Sequence, residues 1–136
     1  MLSRDYIIGL VDGEGSFTVY LRKIGKYRKV EPHFYLKMRK DELSLLTKLK
    51  KFFGCGYISL QRDKRKTHSD CYRYEIGNMK DLEKKIIPFF RGRLQSEKRK
   101  KDFEIFCRIL KIMEKKKHLT YDGWQEIKKL KEKMHR

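Results

Sequence analysis

The sequence predicts an α+β fold in which helices cover one face of a four-stranded antiparallel sheet. Four short segments alternate apolar and polar residues, which is the period-2 pattern of half-buried strands. These segments come in two consecutive pairs separated by stretches of helical periodicity, and such pairs favour an antiparallel sheet over a parallel one. The predicted order is α-β-β-α-β-β-α-α-α, an αββαββα unit with extra C-terminal helices, the last of them an appendage.

The first helix and the first strand pair occupy the N-terminal part of the chain. Ser3 is a suitable N-cap, and apolar residues at helical spacing follow it until Gly13-Glu14-Gly15 ends the helix. Alternation over 16–22 and 33–39 predicts two strands, and Gly25 with the basic residues behind it predicts the turn that joins them.

The second strand pair follows the second helix. Asp41 is expected to cap that helix and Gly54 to end it. Segments 57–61 and 71–76 are the predicted strands, and they are joined by the polar loop 62–70.

Three helices are predicted in the C-terminal part of the chain. Asn78, Ser96 and Thr120 are in position to cap them. Pro88 is expected to end the first of the three, because proline lacks the N–H that a helix interior needs. Trp124 is the expected apolar anchor of the last one.

Composition predicts one intracellular domain. With 136 residues the chain is expected to form a single domain, 1–136. No apolar run approaches the roughly 20 residues of a membrane span and no secretory signal is recognisable, so no membrane partner is expected. The three cysteines form no CxxC pair, which favours a reducing interior over a disulfide framework. The expected location is a bacterial or phage cytoplasm or an organelle.

The charge balance predicts a polyanionic partner. Lys and Arg total 36 against 18 Asp and Glu, a formal charge of +18 that costs self-repulsion in so small a domain. Binding to a membrane surface usually requires one basic amphipathic helix, whereas here the basic residues are spread along the whole chain. Nucleic acid is therefore the favoured partner.

One face of the predicted sheet has the composition of a DNA-contacting surface. Long donors, acceptors and aromatic side chains alternate with the apolar strand residues, and a major groove admits a two-stranded ribbon. An ordinary solvated face is the alternative. The predicted DNA-binding residues are Tyr20, Arg22, His33, Tyr35, Lys37, Arg39, Ser59, Gln61, Arg73 and Glu75 in the strands, and Lys66 in the loop.

The segment 7–15, Ile-Ile-Gly-Leu-Val-Asp-Gly-Glu-Gly, carries the strongest functional signal. Gly9 and Gly13 share one helix face, where each costs up to about 1 kcal/mol relative to alanine, so a close crossing with another helix is expected. Asp12 and Glu14 lie at the helix end that prefers cations. A divalent cation resolves this conflict for Glu14, whereas hydrogen bonding to the glycine turn is the favoured explanation for Asp12.

This nonapeptide, followed by Ser16-Phe17, resembles the LAGLIDADG motif of homing endonucleases. Downstream, 45–58 is similar to the second helix and third strand of that family, and 86–106 to its third helix and basic turn. His118-Leu119-Thr120 resembles the start of a C-terminal helix found in many members. Nearly the whole chain is covered, and the motif occurs once.

The resemblance implies a site at the level of residues. Glu14, the last acid of the motif, would be catalytic and would bind Mg²⁺ or Mn²⁺ together with the backbone oxygen of Gly13. Lys98, or another of the basic residues 98–101, would order water or neutralise the transition state. The motif helix would form a two-fold interface that includes Gly9, Gly13, Ile8 and Asp12.

The resemblance also implies a function, the site-specific cleavage of double-stranded DNA by a homodimeric homing endonuclease without a small-molecule cofactor. Two compact subunits, each about 36 Å across, would cover about 20 base pairs. Two-fold symmetry implies a long pseudo-palindromic site. The alternative is an RNA-binding intron-splicing maturase of the same fold, which would need the basic surface but not Glu14.

Overall fold

The computed structural model of the protein describes residues 1–62 and 70–136. The strands are β1 (Gly15–Ile24), β2 (Tyr27–Arg39), β3 (Tyr57–Gln61) and β4 (Cys71–Ile76). The helices are α1 (Arg4–Glu14), α2 (Leu43–Phe53), α3 (Met79–Asp81), α4 (Ile87–Phe90), α5 (Glu97–Glu114) and α6 (Tyr121–Glu132). The strands form one antiparallel sheet of order β1-β2-β4-β3, which confirms the predicted α+β class. Within these residues, no helix is both long and apolar enough to span a bilayer.

Side-chain caps fix where several helices begin. Ser3, Asn78, Ser96 and Thr120, all predicted as caps, each accept a hydrogen bond from the backbone N–H three residues further along, at 3.1–3.3 Å. A cap of this kind contributes about 1 kcal/mol, because it satisfies one of the N–H groups that a helix start leaves without a partner.

Two details of the predicted helices are wrong. Asp41 does not cap α2, because it lies inside the 3₁₀ turn Lys40–Glu42 and the N-cap position falls on Glu42, which makes no side-chain cap bond. Pro88 does not end a helix either. A π-helical segment, Leu82–Ile86, precedes α4, and Pro88 lies in the first turn of α4, where its missing N–H removes little intrahelical bonding.

The helices pack on one side of the sheet around Phe17. Its ring centroid lies 5.1–5.9 Å from the centroids of Phe34, Phe90, Phe103 and Phe106. All five side chains are buried, and burying one such side chain contributes about 1.5–3 kcal/mol. The cluster therefore holds α4 and α5 against β1 and β2, and the polar residues of the strands lie on the opposite face.

The last helix is not an appendage, contrary to the prediction. Trp124 and Ile127 of α6 are buried in the same core. Beyond α6, His135 donates its backbone N–H to the carboxylate of buried Asp102 in α5, and its ring Nε2 lies 3.2 Å from the Thr18 hydroxyl. This segment is thereby tied to both α5 and β1.

Candidate nucleic-acid interface

The polar strand residues share the sheet face that lies away from the helices. Directly opposed residues of antiparallel strands lie on one face, and the register opposes Tyr35 to Glu75. It likewise opposes Lys37 to Arg73. This polar sheet face includes the predicted residues Tyr20, Arg22, His33, Tyr35, Lys37, Arg39, Ser59, Gln61, Arg73 and Glu75, and also Lys29, Glu31 and Tyr57, which are opposed to members of that set. Lys66 lies outside the described residues.

Glu75 is the centre of a hydrogen-bond cluster on the polar sheet face. It is only 8 % exposed. Its Oε2 accepts from the Tyr57 hydroxyl at 2.7 Å, and its Oε1 accepts from Arg73 Nη2 at 2.8 Å. Nδ1 of His33 lies 3.1 Å from Oε1 but is not aligned for a hydrogen bond. Both carboxylate oxygens are therefore engaged inside the protein.

Arg73 is held by three different contacts. Its Nη2 donates a second hydrogen bond to the Tyr20 hydroxyl at 3.1 Å, and its Cζ lies 3.6 Å from the centroid of the Tyr35 ring, a cation–π distance. Burial by itself would lower the pKa of Arg73, but the hydrogen bond to Tyr20 and the charge of Glu75 outweigh it, so that the pKa is raised. The guanidinium is thus charged and fixed in one position.

Tyr57 is a member of this cluster that was not among the predicted residues. The hydrogen bond to Glu75 raises the pKa of the Tyr57 hydroxyl, and burial and the charge of Glu75 act in the same direction. Half of the residue remains exposed. Tyr57 precedes Ser59 by one step of the strand alternation, so the same pattern that indicated Ser59 could have indicated it.

The outer end of the polar sheet face carries a second charge group, in which the basic side chains are exposed and the glutamate is 19 % exposed. Glu31 lies 3.2 Å from Nε of Arg22 and 3.3 Å from Nζ of Lys29. The two basic side chains are 62 % and 67 % exposed. Exposed pairs of this kind contribute less than about 1 kcal/mol, so Arg22 and Lys29 can exchange Glu31 for another acceptor at little cost.

The carboxyl end of α1 and the amino end of α5 bind each other. The Asp12 carboxylate accepts the backbone N–H groups of Gln95 and Ser96 at 3.0 Å. In return, Arg99 donates to the backbone oxygens of Asp12 and Gly13, at 3.3 and 3.4 Å. Asp12 therefore bonds the segment that begins α5, and the prediction that it bonds the glycine turn is wrong. The carboxylate thereby lies next to the amino end of α5, where the partial positive charge of the helix favours an anion.

Glu14 differs from Asp12 in its surroundings. Glu14 is exposed at the last position of α1, and Lys98 is exposed in the first turn of α5. The basic residue that contacts the motif is Arg99, the neighbour of Lys98. Its position in a run of four basic residues was the only sequence signal for that contact.

The glycine face of α1 is open in this chain. Gly9 and Gly13 are exposed, and Ile8 is half-buried beside them. A Cβ added to either glycine would meet nothing within 4 Å. A second helix could therefore approach this face closely.

The oxygen donors near Glu14 suit a hard cation but do not complete a site. The Glu14 carboxylate and the Gly13 backbone oxygen are ligand types that Mg²⁺ and Mn²⁺ prefer. Across 1–62 and 70–136, no group of three or more His, Cys, Asp or Glu side chains is close enough to hold a metal ion. Further donors would have to come from a second α1 end or from a bound phosphate.

Comparisons of the sequence with known proteins identify a family and several relatives. A sequence model of the LAGLIDADG endonuclease family matches residues 7–110. Probable intron-encoded endonuclease 3 of Neurospora crassa is 33 % identical over 132 residues, which are 93 % of this chain but 23 % of that protein. Probable intron-encoded DNA endonuclease 1 of Mycosarcoma maydis is 31 % identical over 91 residues, 66 % of this chain and 31 % of that protein. The chain therefore spans less than a third of the length of these relatives.

Solved structures share the fold. The homing endonuclease I-TnaI superposes with a TM-score of 0.85 at 32 % identity, covering 99 % of this chain and 89 % of that one. I-SmaMI bound to an uncleaved DNA target in the presence of calcium ions also gives a TM-score of 0.85, at 30 % identity. That superposition covers 98 % of this chain and 45 % of I-SmaMI.

Proposed function

This chain belongs to the LAGLIDADG endonuclease family, and on that basis we propose that it is a homing endonuclease that cleaves double-stranded DNA at a specific site. In this proposal residues 1–136 act as one endonuclease domain. The observation that supports it most is the exposed carboxylate of Glu14 at the end of the motif helix, which runs directly into β1 of the sheet.

Glu14 and the backbone oxygen of Gly13 are the proposed metal-binding groups, with Mg²⁺ or Mn²⁺ as the ion. A bound ion of this kind activates water and stabilises the leaving oxygen of a phosphodiester. The reciprocal bonds between Asp12, Gln95 and Arg99 support the assignment, because they fix the direction of the α1 end. That Asp12 is engaged in these bonds leaves Glu14 as the acid available for catalysis.

Lys98 is the proposed basic catalytic residue. It lies exposed in the first turn of α5, next to Arg99, which binds the α1 end. An ammonium group near the scissile phosphate would stabilise the negative charge that develops during hydrolysis.

Two copies of the chain are proposed to assemble through α1 into a homodimer, with an interface that includes Gly9, Gly13, Ile8 and Asp12. Each copy of residues 1–136 carries the motif once, so a pair of copies would bring two Glu14 side chains to the two-fold axis. The coverage of 45 % of I-SmaMI but 89 % of I-TnaI agrees with two such units in the longer protein. A two-fold pair would select a pseudo-palindromic target.

The polar sheet face is the proposed DNA-binding surface, for which the formal charge of +18 provides attraction to phosphates. The structure of I-SmaMI with DNA supports DNA as the partner. The relatives' names describe intron-encoded proteins, which supports an intracellular setting, including an organelle.

Replacement of Glu14 by Gln tests the proposed reaction. Glu14→Gln keeps the size of the side chain but removes the metal-binding charge, so cleavage of a library of long duplexes in Mg²⁺ should fall by at least about 100-fold. Binding to the same duplexes, measured in Ca²⁺ to hold the target intact, should persist.

Asp5→Asn is the matched control, because Asp5 is an exposed acid at the opposite end of α1. It should cleave like the wild-type protein. Undiminished cleavage by Glu14→Gln would refute the assignment of Glu14, and a wild-type protein that cleaves no duplex would refute the proposed reaction.

A further inference from the structure

We propose that the cluster around Glu75 sets the hydrogen-bond polarity of two tyrosines on the polar sheet face, so that Tyr57 accepts from a DNA base and Tyr20 donates to one. Glu75 is then a positioning residue that does not touch DNA. The inference rests on the proposed function, since it concerns how the same surface distinguishes bases.

Tyr57 is restricted to accepting. A phenol has one hydrogen, and that of Tyr57 is donated to Glu75 Oε2 at 2.7 Å. An ionised carboxylate can only accept, so the hydrogen cannot turn outward without leaving a buried charge short of a hydrogen bond. Half of Tyr57 is exposed, and its oxygen still has a lone pair to offer. In the major groove the donors are the exocyclic amines of adenine and cytosine, which are the bases Tyr57 would select.

Tyr20 is restricted to the opposite role. Its oxygen accepts from Arg73 Nη2 at 3.1 Å, and a guanidinium can only donate. The hydroxyl hydrogen of Tyr20 is therefore directed away from Arg73. It would donate to a major-groove acceptor, such as N7 of a purine or O4 of thymine.

Arg73 is a second positioning residue in this arrangement. Both hydrogens of Nη2 are used, by Tyr20 and by Glu75, and Nε is buried. At most Nη1 can reach a base. Bidentate recognition of guanine O6 and N7 by arginine uses parallel N–H groups on two different nitrogens, so Arg73 does not make that contact while the cluster is intact.

Glu75→Gln gives the decisive test, because an amide presents one acceptor and one donor. Arg73 requires the acceptor, so the amide nitrogen should donate to Tyr57 and free the Tyr57 hydrogen. The wild-type protein and Glu75→Gln would each select from randomised duplexes in Ca²⁺, and sequencing of the bound duplexes would give the base preference at every position. At one position in each half-site, the preference for adenine or cytosine should shift toward guanine or thymine by about tenfold, because guanine O6 and thymine O4 accept at the place where the amines of adenine and cytosine donate.

Two further variants separate positioning from structure. Glu31→Gln removes the same charge from the exposed end of the same face and should leave the preference at that position unaltered. Tyr57→Phe should abolish that preference, and this variant decides the matter if Glu75→Gln does not fold, as judged by circular dichroism.

An equal loss of affinity for all sequences in Glu75→Gln, or an unaltered preference in Tyr57→Phe, would overturn the inference while the proposed function stands. If the wild-type protein selects no sequence, both fail.

Discussion

Arg22 and Arg73 lie on the same sheet face and each pairs with a glutamate, yet the two pairs differ physically. The Arg22 side chain is 62 % exposed, whereas that of Arg73 is 18 % exposed. The difference follows from the sheet order, because β4 lies between β2 and β3 and β1 is an edge strand. Arg22 lies near the β1–β2 turn, where water reaches its guanidinium, although the Glu31 side chain is only 19 % exposed.

The contrast indicates that the two arginines have different roles on one surface. A buried charge that loses its partner is costly, so Arg73 stays with Glu75. An exposed pair costs little to separate, so Arg22 can leave Glu31 for a base or a phosphate. The central cluster is therefore preorganised and the outer end is adaptable.

The largest expected effect concerns stability. Arg73→Met should lower the free energy of unfolding by about 3 kcal/mol, since Glu75 is left buried without its charged partner. Arg22→Met should lower it by less than about 1 kcal/mol. Urea unfolding of both variants measures the two values.

The double variant Arg73→Met with Glu75→Gln is the control for that measurement. It removes both charges and should recover most of the loss. Equal losses of the free energy of unfolding in Arg22→Met and Arg73→Met would contradict the distinction between a buried central pair and an accessible outer pair.

The next effect concerns base preference. Arg22→Gln should weaken selection of guanine at one position by about 1–3 kcal/mol, because the contact of Arg22 with Glu31 uses Nε and leaves its terminal nitrogens for a base. Selection from randomised duplexes measures this preference. Arg73→Lys, which keeps the charge on the central strand, should leave the guanine preference at that position as it was. A loss of guanine selection at that position in Arg73→Lys would show that Arg73 leaves Glu75 to contact a base, as is proposed for Arg22.

The sequence predicted the sheet and its polar face because strand alternation is a local pattern. Each described strand residue assigned to that face lies there, and four caps were recognised from their residue types and spacing. Glu14, Lys98 and the interface residues on α1 remain predictions that the chain's own contacts do not test.

The sequence could not predict which polar residues are engaged inside the protein. Glu75 and Glu31 belong to the same face and have the same chemistry, and both lie on inner strands of the sheet. They differ because Glu75 lies where β4 pairs with β2 and β3, whereas Glu31 lies beyond the β2–β4 pairing, near the β1–β2 turn. The bond from Asp12 to Gln95 joins residues 83 positions apart, so no local pattern encodes it. The π-helical segment before Pro88 depends likewise on packing, not on a residue-type signal.

The smallest expected effect is a pH dependence at the centre of the polar sheet face. The hydrogen bond to Glu75 raises the pKa of Tyr57 above its usual value near 10 in the folded protein. A raised pKa means that this contribution to stability is complete below pH 10 and is lost as the pH rises through the folded value. Burial also raises the pKa of Tyr74. Ultraviolet titration of tyrosine ionisation should therefore show two groups that ionise later than in the unfolded chain, and only one of them should be absent in Tyr57→Phe. In Glu75→Gln the Tyr57 hydroxyl should ionise at lower pH, because the amide offers no negative charge to oppose ionisation.

Glu31→Gln is the control and should leave the titration as it is, since Glu31 forms its ion pairs with Arg22 and Lys29 at the outer end of the face. A Tyr57 titration that is the same in both variants would mean that burial alone, and not the Glu75 cluster, distinguishes the centre of the sheet from its edge.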